Sequence, residues 1–245
     1  VDGLLRENLM MSRIRIPTRS LLKFYDDPAK INKGHTTAMT AVVGEDIGAG
    51  LLIDYYLRRG LKAEVLNEGV TQGTNIGKRL DRWIVVTRGK YTTYYQVEIK
   101  NWGASAFGGR NIAVDASQTK LHEHKIERWS KEWDGRTFIK EQVRKVLTPM
   151  KSSVDATEVE PLVCFWDAMH PTGKANALFS VPLYSGEFTR VWVFSMSAHL
   201  RNLLKSGEEF VEIEAPAIKD RLLLLKDLID NGSVRNPKGI GRVAA

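Results

Sequence analysis

The sequence predicts a mixed α/β fold, with a central mixed sheet flanked by helices. Stretches of helical periodicity alternate with strand-like runs in the order helix, strands, helices, strands, helix. The 245 residues can bury a sizeable core, and no repeat or linker divides them. We therefore expect a single domain over residues 1–245, with its core at about 40–205, an N-terminal extension at 1–39, and a C-terminal helix with a basic tail at 206–245.

The first elements are predicted from helix signals and chain breakers. A short helix is expected over Thr18–Tyr25, capped by Thr18 or by the serine two residues later. Asp26–Thr37 is expected to be a loop, because Asp-Asp-Pro and Lys-Gly-His interrupt any periodicity. Apolar residues then recur at three-to-four spacing over Thr40–Arg59, which predicts a helix that ends at Gly60.

A short strand and a β-hairpin are predicted next. Lys62–Leu66 favours a strand, and Arg79–Thr87 and Lys90–Asn101 favour two longer ones. Between these two, the glycine of Thr87-Arg88-Gly89-Lys90 suits a tight turn that needs a positive φ. The rest of the chain is predicted to form further helices and strands. The helices are expected over Ser117–Glu132, Thr137–Leu147, Ser197–Lys205 and Ala217–Asp230, and the strands over Glu160–Asp167, Ala177–Leu183 and Arg190–Ser195.

Charge and composition narrow the class of protein. The 36 Lys and Arg residues outnumber the 29 Asp and Glu residues, and the resulting charge of +7 favours a polyanionic partner such as nucleic acid. The single cysteine, Cys164, excludes an internal disulfide and a cysteine-based zinc cluster, and its apolar neighbours predict a buried side chain. No run approaches the ~18 apolar residues of a membrane span, so no membrane partner and a cytoplasmic location are expected.

The predicted hairpin brings two carboxylates towards each other. Side chains alternate between the faces of a strand, so Gln96, Glu98 and Lys100 share the face opposite the strand's apolar residues. Depending on the turn, Asp81 lies opposite Gln96 and diagonal to Glu98, or directly opposite Glu98. Either register allows both carboxylates to bind one cation, which would remove the repulsion between them.

Leu80-Asp81 on one strand, Glu98-Ile99-Lys100 on the next and Glu45 on the preceding helix form a recognisable set. It resembles the PD-(D/E)XK nuclease family, whose fold is restriction-endonuclease-like. The resemblance covers roughly residues 40 to 130, and Leu80 stands where the family name has proline. A cluster of structural ion pairs is the alternative interpretation of the same residues.

The resemblance implies a metal-dependent nuclease. Asp81, Glu98, Glu45 and the Ile99 carbonyl would bind Mg²⁺, with Mn²⁺ as a substitute, and Lys100 would orient or help deprotonate the attacking water. DNA is expected in preference to RNA, and an endonuclease of restriction or defence type in preference to an exonuclease. A homodimer is compatible with cutting two strands. The alternative is a non-catalytic nucleic-acid-binding or assembly subunit that retains the nuclease fold.

Further polar residues are candidates for supporting the site. Asp46 competes with Glu45 as the helical acid, because adjacent helix positions point about 100° apart. Gln118 and Lys120, at the start of the next predicted helix, are candidates for supporting the lysine or a phosphate. Arg110, in a glycine-rich loop, is a candidate phosphate contact. A solvated helix face and a plain connecting loop are the alternatives at these three positions.

Overall fold

The computed structural model describes residues 13–26, 33–66, 80–100, 146–149, 159–168, 176–183, 187–215, 218 and 220. Three helices are defined along these ranges: α1 (Thr18–Asp26), α2 (Lys33–Leu57) and α3 (Met196–Lys205). The strands are β1 (Arg13–Pro17), β2 (Lys62–Val65), β3 (Arg82–Arg88), β4 (Tyr91–Lys100), β5 (Val159–Phe165), β6 (Leu178–Pro182), β7 (Arg190–Ser195) and β8 (Phe210–Glu214).

Six of the strands form one mixed sheet in the order β2-β3-β4-β5-β7-β6. Strands β2, β3 and β4 are antiparallel neighbours, whereas β5 runs parallel to both β4 and β7. Strand β6 is antiparallel to β7 and closes the far edge. The mixed α/β fold predicted from the sequence is confirmed.

Both faces of this sheet are buried in apolar clusters. One face packs on α2 through residues such as Leu51, Val97 and Ile99, and the other buries residues such as Trp83 and Val163. The second cluster explains why the polar face of β4 is covered as well. Its Gln96 and Glu98 side chains are 0% exposed, although the alternating sequence pattern alone predicted only one apolar face for this strand.

Helix α2 lies unusually close to both sheets at two glycines. A Cβ atom on Gly48 would stand 2.6 Å from Cγ2 of Ile99 in β4, and one on Gly50 would stand 2.6 Å from Cβ of Ile213 in β8. Heavy atoms cannot approach so closely without a shift in the neighbouring backbone or side chain. Gly48 therefore lets α2 pack directly against Ile99 of β4, and Gly50 lets it pack against Ile213 of β8.

Strands β1 and β8 form a second, two-stranded antiparallel sheet that the sequence pattern did not predict. Arg13 pairs with Glu214 at 3.2 Å on its exposed face, while Val211 and Ile213 join the main core. The two strands come from opposite ends of the chain, and each alternates over only five residues. The sequence analysis placed both segments outside the core region.

Some predicted elements differ from the structure or lie outside its described residues. The loop expected over Asp26–Thr37 is wrong in its second half, because α2 already begins at Lys33. A glycine is tolerated in the first helical turn, where several backbone N–H groups lack intrahelical partners in any case. The predicted helices Ser117–Glu132 and Ala217–Asp230 fall wholly or almost wholly outside the described residues. Along the described ranges, no helix combines the length and apolar character needed to cross a membrane.

Candidate active site

The β3–β4 register decides where Asp81 lies. Arg82 pairs with Val97, and the hairpin turns through Gly89, whose φ of 59° is the left-handed value expected for glycine. Continuing this register by one residue places Asp81 opposite Glu98. Of the two registers that the sequence allowed, the structure has the one in which Asp81 stands opposite Glu98 and not opposite Gln96.

The Asp81 carboxylate is fixed by the backbone of β4. Its Oδ2 atom accepts a hydrogen bond of 2.7 Å from the Ile99 N–H. Asp81 stands just before the first residue of β3. Its side chain therefore accepts a hydrogen bond that a backbone carbonyl of β3 would accept if the pairing with β4 continued. The carboxylate is thereby held beside the backbone that joins Glu98 to Lys100.

Glu98 and Lys100 form an ion pair on the same face of β4. Nζ of Lys100 lies 2.5 Å from Oε1 of Glu98. The Glu98 side chain is 0% exposed and that of Lys100 is 20% exposed. A buried carboxylate requires a compensating charge, which the lysine supplies from the solvent side.

The charge of Asp81 affects the pKa of the buried Cys164 thiol. Burial raises the pKa of Cys164 well above its ordinary value, and the negative charge of Asp81 raises it further. Cys164 of β5 pairs with Ile99 of β4, and the Ile99 N–H donates the hydrogen bond to Asp81. The sequence prediction of a buried, unreactive cysteine is confirmed in its burial.

The raised pKa predicts that the Cys164 thiol stays protonated and protected in the folded chain. We expect folded protein to react with iodoacetamide or a disulfide reagent far more slowly than protein in urea. Because the folded pKa lies above the unfolded value of about 8.5, this group stabilises the fold fully below that pH. The contribution is lost as pH rises towards the folded pKa. Comparable labelling rates with and without urea would contradict the prediction.

Glu45 and Asp46, which are adjacent on α2, both pair with Arg82. Nη2 of Arg82 donates to Oδ1 of Asp46 at 2.6 Å, and its Nη1 lies 3.5 Å from Oε2 of Glu45. Asp46 is 4% exposed, whereas the Glu45 side chain is 40% exposed. Nη1 also donates to the Asp81 carbonyl at 2.6 Å. Glu45 and the Asp81 carbonyl thus contact the same nitrogen, Nη1 of Arg82.

No family model, curated protein or solved structure matched the chain. The resemblance to PD-(D/E)XK nucleases therefore stays a prediction from the sequence.

The oxygen atoms gathered here suit a hard cation. Asp81 and Glu98 supply carboxylates, and the Ile99 carbonyl belongs to the same short stretch of backbone. Among the side chains that the structure describes, no three from His, Cys, Asp and Glu converge as a metal-binding group. Mg²⁺ commonly binds through only one or two carboxylates and retains several waters, so the smaller set still fits this ion. Gln118, Lys120 and Arg110 lie outside the described residues.

A polar network continues from Lys100 along the same edge of the sheet. The Trp166 N–H donates to the Lys100 carbonyl at 3.0 Å, and the Ser197 N–H donates to the Trp166 carbonyl at 2.8 Å. Oγ of Ser197 donates to the buried Asp167 at 2.9 Å, and Arg201 contacts both of their side chains. This group was not among the residues predicted from the sequence. The available signal was an acidic residue at the end of a buried strand, since the carboxyl ends of parallel strands commonly form binding sites.

Proposed function

We propose that the chain is a Mg²⁺-dependent nuclease that hydrolyses DNA phosphodiester bonds, as an endonuclease of restriction or defence type. One observation carries the proposal: Asp81 is held against the Ile99 N–H, in register with Glu98, while Lys100 pairs with Glu98. The Asp81 carboxylate thus lies at the backbone of the strand segment that carries the Glu98–Lys100 pair. This is the arrangement that the resemblance to PD-(D/E)XK nucleases requires.

Several features of the fold support the same proposal. Helix α2 packs on the sheet at Ile99. Its Glu45 and the Asp81 carbonyl both contact Nη1 of Arg82. The sheet combines an antiparallel β2-β3-β4 unit with a parallel β5, as a mixed restriction-endonuclease-like sheet would. The net charge of +7 favours a nucleic-acid substrate.

The residues that would hold Mg²⁺ are Asp81, Glu98 and the Ile99 carbonyl. Glu45, the further ligand expected from the sequence, pairs with Arg82 instead. When bound, the ion would polarise the scissile phosphate and lower the pKa of its water. The hydrogen bond from the Ile99 N–H fixes the Asp81 carboxylate at the backbone between Glu98 and Lys100.

Lys100 would act on the water and on the phosphate. Its side chain is 20% exposed, whereas that of Glu98 is 0% exposed, so Lys100 is the more accessible member of the pair. A fixed positive charge stabilises negative charge that develops on a phosphate, and it does so without reorganisation during the reaction. Glu98 anchors the ammonium by a charge-assisted hydrogen bond, which limits its movement.

The test is metal-dependent cleavage of closed DNA. Purified protein is incubated with supercoiled plasmid and linear DNA in Mg²⁺, in Mn²⁺ and in EDTA, and the products are separated on a gel. We expect nicked or linear plasmid with Mg²⁺ or Mn²⁺ and none with EDTA. Because a closed circle has no ends, its cleavage also distinguishes an endonuclease from an exonuclease. Binding of DNA and RNA without cleavage in any metal would favour the non-catalytic subunit instead.

A further inference from the structure

Arg201 projects from α3 to the ends of β5 and β7. Its Nη1 atom donates to Oγ of Ser197 at 3.1 Å and lies 3.8 Å from Oδ1 of Asp167. Asp167 stands two residues after the buried end of β5, and its side chain is 6% exposed. The guanidinium is therefore placed at the carboxyl edge of the sheet, where the candidate site also lies.

Several hydrogen bonds tie the first turn of α3, which precedes Arg201, to the segment after β5. Ser195 caps α3, and its Oγ also accepts a hydrogen bond of 3.1 Å from the Ala168 N–H. Oγ of Ser197 donates to Asp167, so the first turn of α3 is tied to the end of β5 by side chains. The Ser197 N–H ties it again through the Trp166 carbonyl.

The same backbone connects this group to Lys100. Trp166 donates its N–H to the Lys100 carbonyl and accepts at its own carbonyl from Ser197. Strands β4, β5 and β7 are consecutive neighbours, so these residues lie within one or two strand spacings, about 5–10 Å, of each other. The phosphates of one DNA strand follow each other at about 3.4 Å along the helix axis. The ends of these strands therefore lie close enough together for one DNA strand to pass both Lys100 and the start of α3.

We propose that Arg201 binds a backbone phosphate flanking the scissile phosphate, and that Asp167 and Ser197 position its guanidinium for this contact. The inference rests on the proposed nuclease function for its substrate, and it adds a residue outside the PD-(D/E)XK set.

The charge and exposure of Arg201 fit such a role. Its side chain is 45% exposed, and its distance to Asp167 is 3.8 Å, compared with 2.6 Å between Arg82 and the similarly buried Asp46. Asp167 thus orients the guanidinium without enclosing it. A planar guanidinium presents several N–H groups in a fixed fork, which suits the oxygens of a phosphate.

The test measures DNA binding in EDTA, where cleavage does not interfere, as a function of salt. We expect Arg201→Gln to reduce the slope of log affinity against log salt by about one. Arg201→Lys should restore most of that slope, because it keeps the charge. In Mg²⁺, Arg201→Gln should raise KM about 10-fold, as for the loss of one charge-assisted contact. Its kcat should stay close to the original value, because the contact is not specific to the transition state.

Arg13→Gln is the matched control, since Arg13 is another exposed arginine with a carboxylate partner, and it lies in the β1–β8 sheet. It should change neither slope nor KM. A lower melting temperature of Arg201→Gln with unchanged slope and KM would overturn the inference and leave Arg201 as a structural partner of Asp167. An altered slope without any metal-dependent cleavage would support the phosphate contact and defeat only the proposed nuclease. No DNA binding by the unsubstituted protein would overturn both.

Discussion

Replacing Lys100 with methionine is expected to lower the kcat for plasmid cleavage by about 10²–10³-fold, the usual cost of removing one preorganised charge from a developing negative charge. Methionine keeps the apolar length of the side chain and removes only the ammonium. The ammonium is 2.5 Å from Glu98, and Lys100 is the more accessible member of the pair, so loss of the ammonium affects the phosphate and the neighbouring carboxylate together. Initial rates at saturating DNA and Mg²⁺, with melting temperatures measured in parallel, provide the comparison.

The same substitution leaves Glu98 buried without the lysine, which can destabilise the fold and lower activity indirectly. Combining Lys100→Met with Glu98→Gln removes the buried charge and should recover stability but not cleavage. Lys90→Met is the matched control, because Lys90 is an exposed lysine in the turn of the same hairpin. If Lys100→Met melts earlier but cleaves as fast as the unsubstituted protein, the pair is structural and the nuclease proposal loses its lysine.

The part of the site that sequence could predict is local. Strict alternation along β4 places Glu98 and Lys100 on one face, and a glycine in the turn predicts the hairpin. Both follow from residues close together in the chain. The register remained open because it depends on which two residues form the turn, and shifting the turn by one residue changes which residue faces Asp81. The structure fixes it by pairing Arg88 with Tyr91.

The burial of the site could not be predicted from the pattern along β4. Gln96 donates hydrogen bonds to the carbonyls of Val146, at 2.5 Å, and Thr148, at 2.9 Å, some fifty residues further along the chain. A polar residue on an alternating strand usually indicates a solvated face, and only a distant segment can convert it into a buried one. The same limit applies to β1 and β8, whose pairing joins residues about 200 positions apart.

Arg82 had no role in the sequence analysis, yet it connects the elements of the site. Its position after Asp81 identifies it as a strand residue and gives no sign of a partner on α2. The helix phase decides that partner, and the sequence left Glu45 and Asp46 as competing alternatives. A long guanidinium resolves the competition, since its separate nitrogens contact both carboxylates.

Replacing Arg82 with alanine is expected to lower the free energy of unfolding by about 3–5 kcal/mol, the usual cost of leaving a buried charge without its partner. Asp46 is 4% exposed, and Arg82 lies 2.6 Å from its Oδ1 atom. Within the described part of the chain, Oδ2 of Asp46 has no hydrogen-bond partner, so the loss of Arg82 would leave neither oxygen with a donor there. Urea denaturation at neutral pH, with the slope of each transition compared, measures the change.

Asp46→Asn separates this electrostatic effect from lost packing. In the Arg82→Ala background it should recover part of the lost stability, because a neutral amide is cheaper to bury than an unpaired carboxylate. Arg13→Ala breaks an exposed ion pair and should cost no more than about 1 kcal/mol. A loss for Arg82→Ala no larger than that of Arg13→Ala would show that α2 does not depend on this contact.

If the larger loss is found, the contact of Arg82 with α2 also affects the site, because Arg82 binds the Asp81 carbonyl and α2 at once. Weakening it should loosen the Asp81 carboxylate relative to Glu98, and the required Mg²⁺ concentration should rise even where the fold is retained.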